Sequence, residues 1–112
     1  MDDCLFCKII SGDIPSDRVL ETETAIAFRD VNPQAPVHVL IVPRAHIESI
    51  HDLEDQAVSG DLMTIATQVA EQEGIAESGY RVVTNVGVNS GQSVAHLHFH
   101  VLGGRALTWP PG

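Results

Sequence analysis

Hydrophobic and polar residues alternate with a period of two along the nine residues Val94–Leu102. Such an alternation predicts a half-buried β-strand, in which every second side chain lies on the same face. His96, His98 and His100 are therefore expected to form a row of imidazoles, with neighbours roughly 6.6 Å apart along the strand. The apolar residues between them are expected to enter the core. This row of histidines is the strongest candidate for chemistry in the chain.

The rest of the chain contains further strand-like stretches and one short helix. A short helix is predicted from Leu5 to Ile10 and is expected to end at Gly12. Runs of β-branched and aromatic residues bounded by turn residues predict four more strands, which are Arg18–Glu21, Ala25–Arg29, Val37–Pro43 and Tyr80–Asn85.

A long helix is predicted over Glu54–Glu73, because apolar residues recur there at helical spacing. Asp52 is expected to cap its N-terminus and Gly74 to end it. These elements predict an α+β fold, a five-stranded antiparallel sheet with one long helix and a short N-terminal helix. At 112 residues, the chain is expected to form a single domain over residues 1–112.

The charge balance excludes one class of partner. The chain carries 15 acidic against 6 basic side chains, a formal net charge of -9, so no basic field attracts a nucleic acid polymer. No apolar run approaches the roughly 20 residues of a membrane span, and the N-terminus Met1-Asp2-Asp3 does not resemble a signal region. We therefore expect a cytoplasmic protein that does not bind membranes.

A neutral imidazole can attack phosphorus and form a covalent N–P intermediate, which water then hydrolyses. Such chemistry also needs donors for the phosphate oxygens. The loop before the histidine strand offers backbone N–H groups at Gly91, Gln92 and Ser93, and side-chain groups at Ser93 and Asn85. The sequence is therefore compatible with nucleophilic catalysis at a phosphate.

Metal binding is the alternative chemistry. His-x-His on a strand is also how zinc hydrolases present two ligands, although one tetrahedral ion would not take all three histidines. Cys4-x-x-Cys7 is a second candidate, whose four ligands could be completed by His46 and one strand histidine. In a reducing compartment such a cysteine pair favours a metal or redox role over a structural disulfide. His51, among charged residues, is expected to be a surface histidine.

The pattern His-φ-His-φ-His-φ-φ at His96–Leu102, where φ is apolar, resembles the histidine triad family of nucleotide hydrolases and transferases. Further motifs resemble its Hint-like branch in order and spacing, and the similarity covers essentially the whole chain. These motifs are Phe28-Arg29-Asp30, Pro33–His38, Gly91-Gln92-Ser93-Val94, Gly103-Gly104-Arg105 and Trp109-Pro110-Pro111-Gly112. The intact cysteine pair resembles the zinc-containing prokaryotic members.

The resemblance implies a homodimer that hydrolyses purine nucleoside 5′-phosphoramidates, adenosine above all, through a nucleotidyl-histidine intermediate. It implies that His98 is the nucleophile, that His38, His100 and Ser93 assist, and that Asp30 holds the ribose. It further implies contacts to the base from Leu5, Phe6, Ile9, Phe28 and Val31, contacts on the phosphate side from Asn85, Gly91, Gln92 and Ser93, and a structural zinc on Cys4, Cys7, His46 and His96.

Two alternatives to this enzyme remain at the level of sequence. One is a non-catalytic regulatory protein that binds purine nucleotides, which would keep the pocket without turnover. The other is a zinc hydrolase, whose activity a chelator would abolish without unfolding the protein.

Overall fold

The computed structural model describes residues 3–112 and confirms the predicted α+β fold. Met1 and Asp2, which belong to the segment considered above for a signal region, lie outside the described residues. One antiparallel sheet has the strand order β1-β2-β3-β5-β4. The elements are α1 (Leu5–Ser11), β1 (Arg18–Glu21), β2 (Ala25–Arg29), β3 (Val37–Pro43), α2 (Gln56–Gln72), β4 (Tyr80–Val83) and β5 (Phe99–Gly103).

The two helices cover opposite faces of the central strands. Along β3, Val39 and Ile41 belong to the core that includes residues of α2, whereas Leu40 and Val42 belong to the core that includes residues of α1. This explains why β3 is buried along almost its whole length instead of on alternate residues. His38 alternates with Leu40 in the same way, so it lies on the face covered by α1.

The strand of histidines begins later than the alternation predicts. β5 starts at Phe99, because the residue that would pair with Leu97 in the β3 register is Pro43, which has no N–H to continue the ladder. The Leu97 N–H donates instead to the carbonyl of Ile47 at 2.6 Å. The prediction that Val94–His98 form part of this strand was therefore wrong, although Leu97 still enters the core on the α2 side.

Two other boundaries differ from the predictions. β4 ends at Val83, and beyond it the Thr84 hydroxyl donates to the carbonyl of His98 at 2.9 Å. The N-cap of α2 is Asp55, whose carboxylate accepts the Ala57 N–H at 2.9 Å, so the prediction of Asp52 as cap was wrong. Asp52 closes a short 3₁₀ turn and accepts a hydrogen bond from the Ser49 hydroxyl.

The helix ends agree with the predicted stops. Gly12 and Gly74 follow α1 and α2 with φ angles of 89° and 77°, a backbone region that favours glycine. Among residues 3–112, no helix combines the length and the apolar character needed to cross a membrane.

Candidate active site

A cavity of about 290 Å³ opens between α1 and the sheet face that carries the histidines. Its wall combines apolar side chains with polar and ionisable ones, which include Asp30, Ser93, His98 and His100. The residues that line it are Leu5, Phe6, Ile9, Ile14, Pro15, Ser16, Phe28, Arg29, Asp30, Val31, Leu40, Ser93, Val94, His98 and His100. The cavity is therefore suited to a ligand with an apolar ring and a polar or anionic group.

The tautomer of His98 is fixed by the main chain. Its Nδ1 lies 2.7 Å from the carbonyl oxygen of His96, and a carbonyl can only accept, so Nδ1 carries the proton. The lone pair of the neutral ring is then on Nε2. The Phe6 ring packs edge-on against His98 with centroids 4.9 Å apart, which restricts the imidazole further. His98 is thus held in the form that a nucleophile requires.

A chain of hydrogen bonds also fixes His38 and His100. The Gln34 N–H donates to Nδ1 of His38 at 3.0 Å, so the proton of His38 is on Nε2. Nε2 of His38 lies 2.9 Å from Nδ1 of His100 and donates to it, which leaves the proton of His100 on its own Nε2. His100 therefore presents an N–H donor beside His98, with the two ring centroids 5.0 Å apart.

Burial keeps the imidazoles of His38 and His100 neutral. Desolvation, together with the neighbouring His98 and His38, lowers the pKa of His100 to about 4, although Asp30 opposes the shift. Desolvation likewise lowers the pKa of His38, again against the charge of Asp30. Near neutral pH the pair consequently acts through oriented N–H groups and not through a positive charge.

Asp30 makes two contacts at the edge of the cavity. Its Oδ1 accepts the Asn32 N–H at 2.9 Å, which fixes the turn after β2. Its Oδ2 lies 3.4 Å from Nε2 of His38. The carboxylate is therefore held in place, and it still has acceptor capacity for a ligand hydroxyl.

The second cluster of interest contains Cys4, Cys7, His46 and His96, whose ligand atoms all lie within 4.8 Å of one another. Nδ1 of His96 lies 3.4 Å and 3.6 Å from the two sulfurs, and Nδ1 of His46 lies 3.3 Å from Cys7 Sγ. A tetrahedral zinc with its usual bond lengths would separate sulfur and nitrogen ligands by about 3.5 Å. The group could hold a metal ion and is compatible with zinc.

The tautomer of His96 supports this interpretation. Its Nε2 donates to the carbonyl of Pro43 at 2.9 Å, so the Nδ1 facing the two sulfurs has a free lone pair. Desolvation also lowers the pKa of His96, which keeps the ring neutral as a metal ligand requires.

Asp30, His38 and His100 also lie close enough together to suggest a metal site. His38 argues against one, because its Nδ1 accepts a hydrogen bond from Gln34 and the Nε2 directed at the group carries the proton. A metal there would have to displace that proton or break the Gln34 hydrogen bond. The fit to a metal is therefore much better at the cysteine cluster.

Most of the residues predicted for the nucleotide line the cavity, but three do not. Asn85, Gly91 and Gln92 are absent from its wall. Several other residues line the cavity although no pattern of reactive residues in the sequence singles them out. Leu40 could have been found from its alternation with His38, whereas the contribution of Ile14, Pro15, Ser16, Arg29 and Val94 depends on how loops meet across the α1 face.

The structure places the remaining predicted residues as follows. His38 lies behind His100 and contacts it rather than the cavity wall. Val31 lines the cavity but is fully exposed, in contrast to the buried Phe6 and Phe28. His51 is exposed, as expected for a surface histidine.

Comparisons with known proteins agree with this architecture. The HIT domain family model matches residues 11–107. The chain is 50% identical over 113 residues to an uncharacterized HIT-like protein of Synechococcus elongatus, with 99% of this chain and 98% of that protein covered. It is 46% identical over 108 residues to the purine nucleoside phosphoramidase of Escherichia coli K12, with 95% and 91% covered. The crystal structure of a HIT family hydrolase from Legionella pneumophila superimposes with a TM-score of 0.94 at 48% identity, covering 98% of this chain and 100% of that one. The chain therefore belongs to the HIT family.

Proposed function

We propose that this protein is a hydrolase that cleaves the P–N bond of purine nucleoside 5′-phosphoramidates, preferably those of adenosine. The observation that carries the proposal is the pair of fixed tautomers in the cavity, an Nε2 lone pair on His98 beside an Nε2–H donor on His100. The name of the Escherichia coli relative, a purine nucleoside phosphoramidase, supports the same substrate class.

The reaction proceeds in two displacements. Nε2 of His98 attacks phosphorus and forms a new P–N bond, while the bond from phosphorus to the amine breaks and the departing amine takes a proton from water. Water then attacks phosphorus, the bond from phosphorus to Nε2 of His98 breaks, and the nucleoside monophosphate is released. The proton that this water loses neutralises the hydroxide left by the first displacement. The N–H of neutral His100 donates to a phosphate oxygen on which negative charge develops, and His38 orients His100 for this task.

In this proposal other residues that line the cavity bind the base, the ribose and the phosphate of the substrate. The base packs against Phe6 and Phe28, whose rings are edge-on with centroids 5.8 Å apart. The ribose hydroxyls donate to Asp30 at the cavity edge. The Ser93 hydroxyl donates to the phosphate near His98.

The proposed zinc is structural. Two cysteines and two histidines make a complete tetrahedral shell, so no position remains for a catalytic water. The ion would connect α1, through Cys4 and Cys7, to the segment that carries His96. Because the His96 carbonyl fixes the tautomer of His98, the ion would stabilise the active site without taking part in the reaction.

A homodimer is also proposed, through β4 and α2. β4 is an edge strand that carries Val82 at 38% exposure, and Val86 follows it at 42%. On α2, Met63 is 57% exposed. An unpaired apolar edge favours association with another chain, and a second copy would cover it. The 80% exposed Trp109 near the C-terminus would then reach the partner's cavity. A cytoplasmic location fits this picture, because a reducing compartment preserves the two free cysteines.

Hydrolysis of adenosine 5′-phosphoramidate by the purified protein tests the proposal. We expect release of AMP and ammonia by the wild type, no turnover by His98→Asn, and unchanged turnover by His51→Asn, which replaces an exposed histidine outside the site. Tight AMP binding without turnover by the wild type would instead identify a nucleotide-binding regulatory protein. Turnover by His98→Asn at the wild-type rate would contradict the nucleophile assignment.

A further inference from the structure

The side-chain amide of Gln92 is fully engaged by the main chain. Its Oε1 accepts the Gly87 N–H at 2.9 Å, and its Nε2 donates to the carbonyls of Glu48 at 2.8 Å and Val94 at 3.0 Å. Two carbonyls at one end and an N–H at the other also fix which end of the amide is which. Both hydrogens of the amide are therefore used, and no side-chain donor remains for a phosphate.

These hydrogen bonds reach three points of the main chain, two of them close to Gln92 in sequence and one 44 residues away. One is the loop before the histidine segment, in which Gly87 and Gly91 have φ angles of 78° and 86° around a 3₁₀ turn. Another is Glu48, two residues after the proposed metal ligand His46. The third is Val94, which with Ser93 lines the cavity.

The loop has little else to hold it. Val88 at its tip is 91% exposed, so this side chain makes almost no apolar contact with the rest of the protein. The remaining hydrogen bonds of the loop are internal, such as Ser90 Oγ to the Gly87 carbonyl and the Gly91 N–H to the Val88 carbonyl. Gln92 is therefore the residue whose side chain attaches this loop to the segment after β3.

We infer that Gln92 is a positioning residue, which holds the loop so that Ser93 faces the substrate phosphate, and that it does not contact the nucleotide through its side chain. The inference rests on the proposed function. The contact predicted from sequence was one through the Gln92 backbone N–H, and that group donates to the Gly87 carbonyl at 3.3 Å. A residue that acts through Ser93 must lose its effect when Ser93 is already removed, whereas a direct ligand keeps its own contribution.

A double-mutant cycle tests this inference. The variants are Gln92→Ala, Ser93→Ala and the double variant, with Ser90→Ala as a matched loop control that removes only an internal hydrogen bond. The measurements are kcat/KM for adenosine 5′-phosphoramidate, the affinities for AMP and for adenosine, and the exchange rate of the Gly87 amide hydrogen by NMR.

We expect each single variant to lower kcat/KM by about tenfold, the scale of one hydrogen bond to a charged group. The double variant should fall well short of the hundredfold product of two such independent effects. Gln92→Ala should weaken AMP but leave adenosine binding unchanged, which a general loss of structure would not do. Gly87 exchange should accelerate in Gln92→Ala and stay at the wild-type rate in Ser93→Ala and Ser90→Ala.

Full multiplication of the two single effects would overturn the inference and make Gln92 a direct ligand. Unchanged Gly87 exchange in Gln92→Ala would overturn it as well. If the wild type showed no turnover, the proposed function would fail separately, and the same cycle measured on AMP affinity together with Gly87 exchange would still decide the role of Gln92.

Discussion

Replacement of Asp30 by asparagine distinguishes two roles of this residue, a contact to the substrate ribose and a purely structural role in the turn after β2. The Asp30 Oδ1 accepts the Asn32 N–H at 2.9 Å, and an asparagine oxygen in the same place keeps that hydrogen bond. The charge and the acceptor capacity of Oδ2, 3.4 Å from His38, are lost. The variant therefore preserves the turn and removes the group proposed to accept from the ribose hydroxyls.

The expected size of the effect follows from one charged hydrogen bond. A 2′-deoxy substrate withdraws one donor from the Asp30 carboxylate, which costs on the order of 1–3 kcal/mol, or about ten- to a hundredfold in kcat/KM. The wild type should therefore prefer the ribonucleoside substrate by that factor. Asp30→Asn should lose activity on the ribo substrate and show almost no preference between the two.

The assay compares kcat/KM for adenosine and 2′-deoxyadenosine 5′-phosphoramidates in the wild type, in Asp30→Asn and in the control Asp61→Asn. Asp61 lies on α2, which packs against the opposite face of the sheet, so its replacement should leave both values unchanged. An equal loss on both substrates in Asp30→Asn would refute the ribose contact. It would leave Asp30 as a residue of the turn alone.

Three further predictions concern the metal, acid stability and packing. Purified protein should contain about one zinc per chain, and a Cys4→Ala, Cys7→Ala double variant should lack it and melt at a lower temperature; an unchanged melting temperature would contradict a structural site. Because the pKa of His100 falls from 6.5 to about 4 on folding, the unfolded chain binds more protons between these values. The free energy of unfolding should therefore be fully present above pH 6.5 and fall as the pH drops towards 4, with a shallower slope in His100→Gln when urea unfolding is measured at constant zinc. Gly60→Ala in α2, where a Cβ meets nothing within 4 Å, should raise the free energy of unfolding by up to about 1 kcal/mol in the same urea assay. Gly103→Ala should lower it by about 1–3 kcal/mol, because the new Cβ would approach the Ile75 side chain to 2.7 Å. The opposite order of the two variants would contradict the packing described here.

The sequence was sufficient for elements whose pattern is local. The strands Arg18–Glu21, Ala25–Arg29 and Val37–Pro43 have the predicted boundaries, because β-branched runs bounded by turn residues specify them without reference to distant residues. The start of β5 could not be predicted, because it depends on a residue of another strand. Pro43 of β3 lies opposite Leu97 and has no N–H to donate to the ladder. The cap of α2 was misplaced because Asp52 and Asp55 are chemically equivalent candidates and only the preceding 3₁₀ turn distinguishes them.

The candidate site also combines features that follow from local sequence patterns with features that depend on tertiary contacts. The row of histidines and the cysteine pair follow from spacing, and the resemblance to a family added the expected roles. The tautomers of His98, His96 and His38 depend on the His96 carbonyl, the Pro43 carbonyl and the Gln34 N–H, respectively. No periodicity in the sequence reveals these hydrogen bonds. The engagement of Gln92 by Glu48, 44 residues away, is a tertiary contact of the same kind.

In the proposed mechanism His98 becomes covalently attached to the nucleotide during turnover. Mass spectrometry of peptides from protein quenched during hydrolysis of adenosine 5′-phosphoramidate, and kept at neutral to alkaline pH to preserve the N–P bond, tests it directly. We expect an adenylyl group on His98 of the wild type and none in His98→Asn. An adenylyl group on His96 or His100, or steady turnover with no adduct on any histidine, would contradict it.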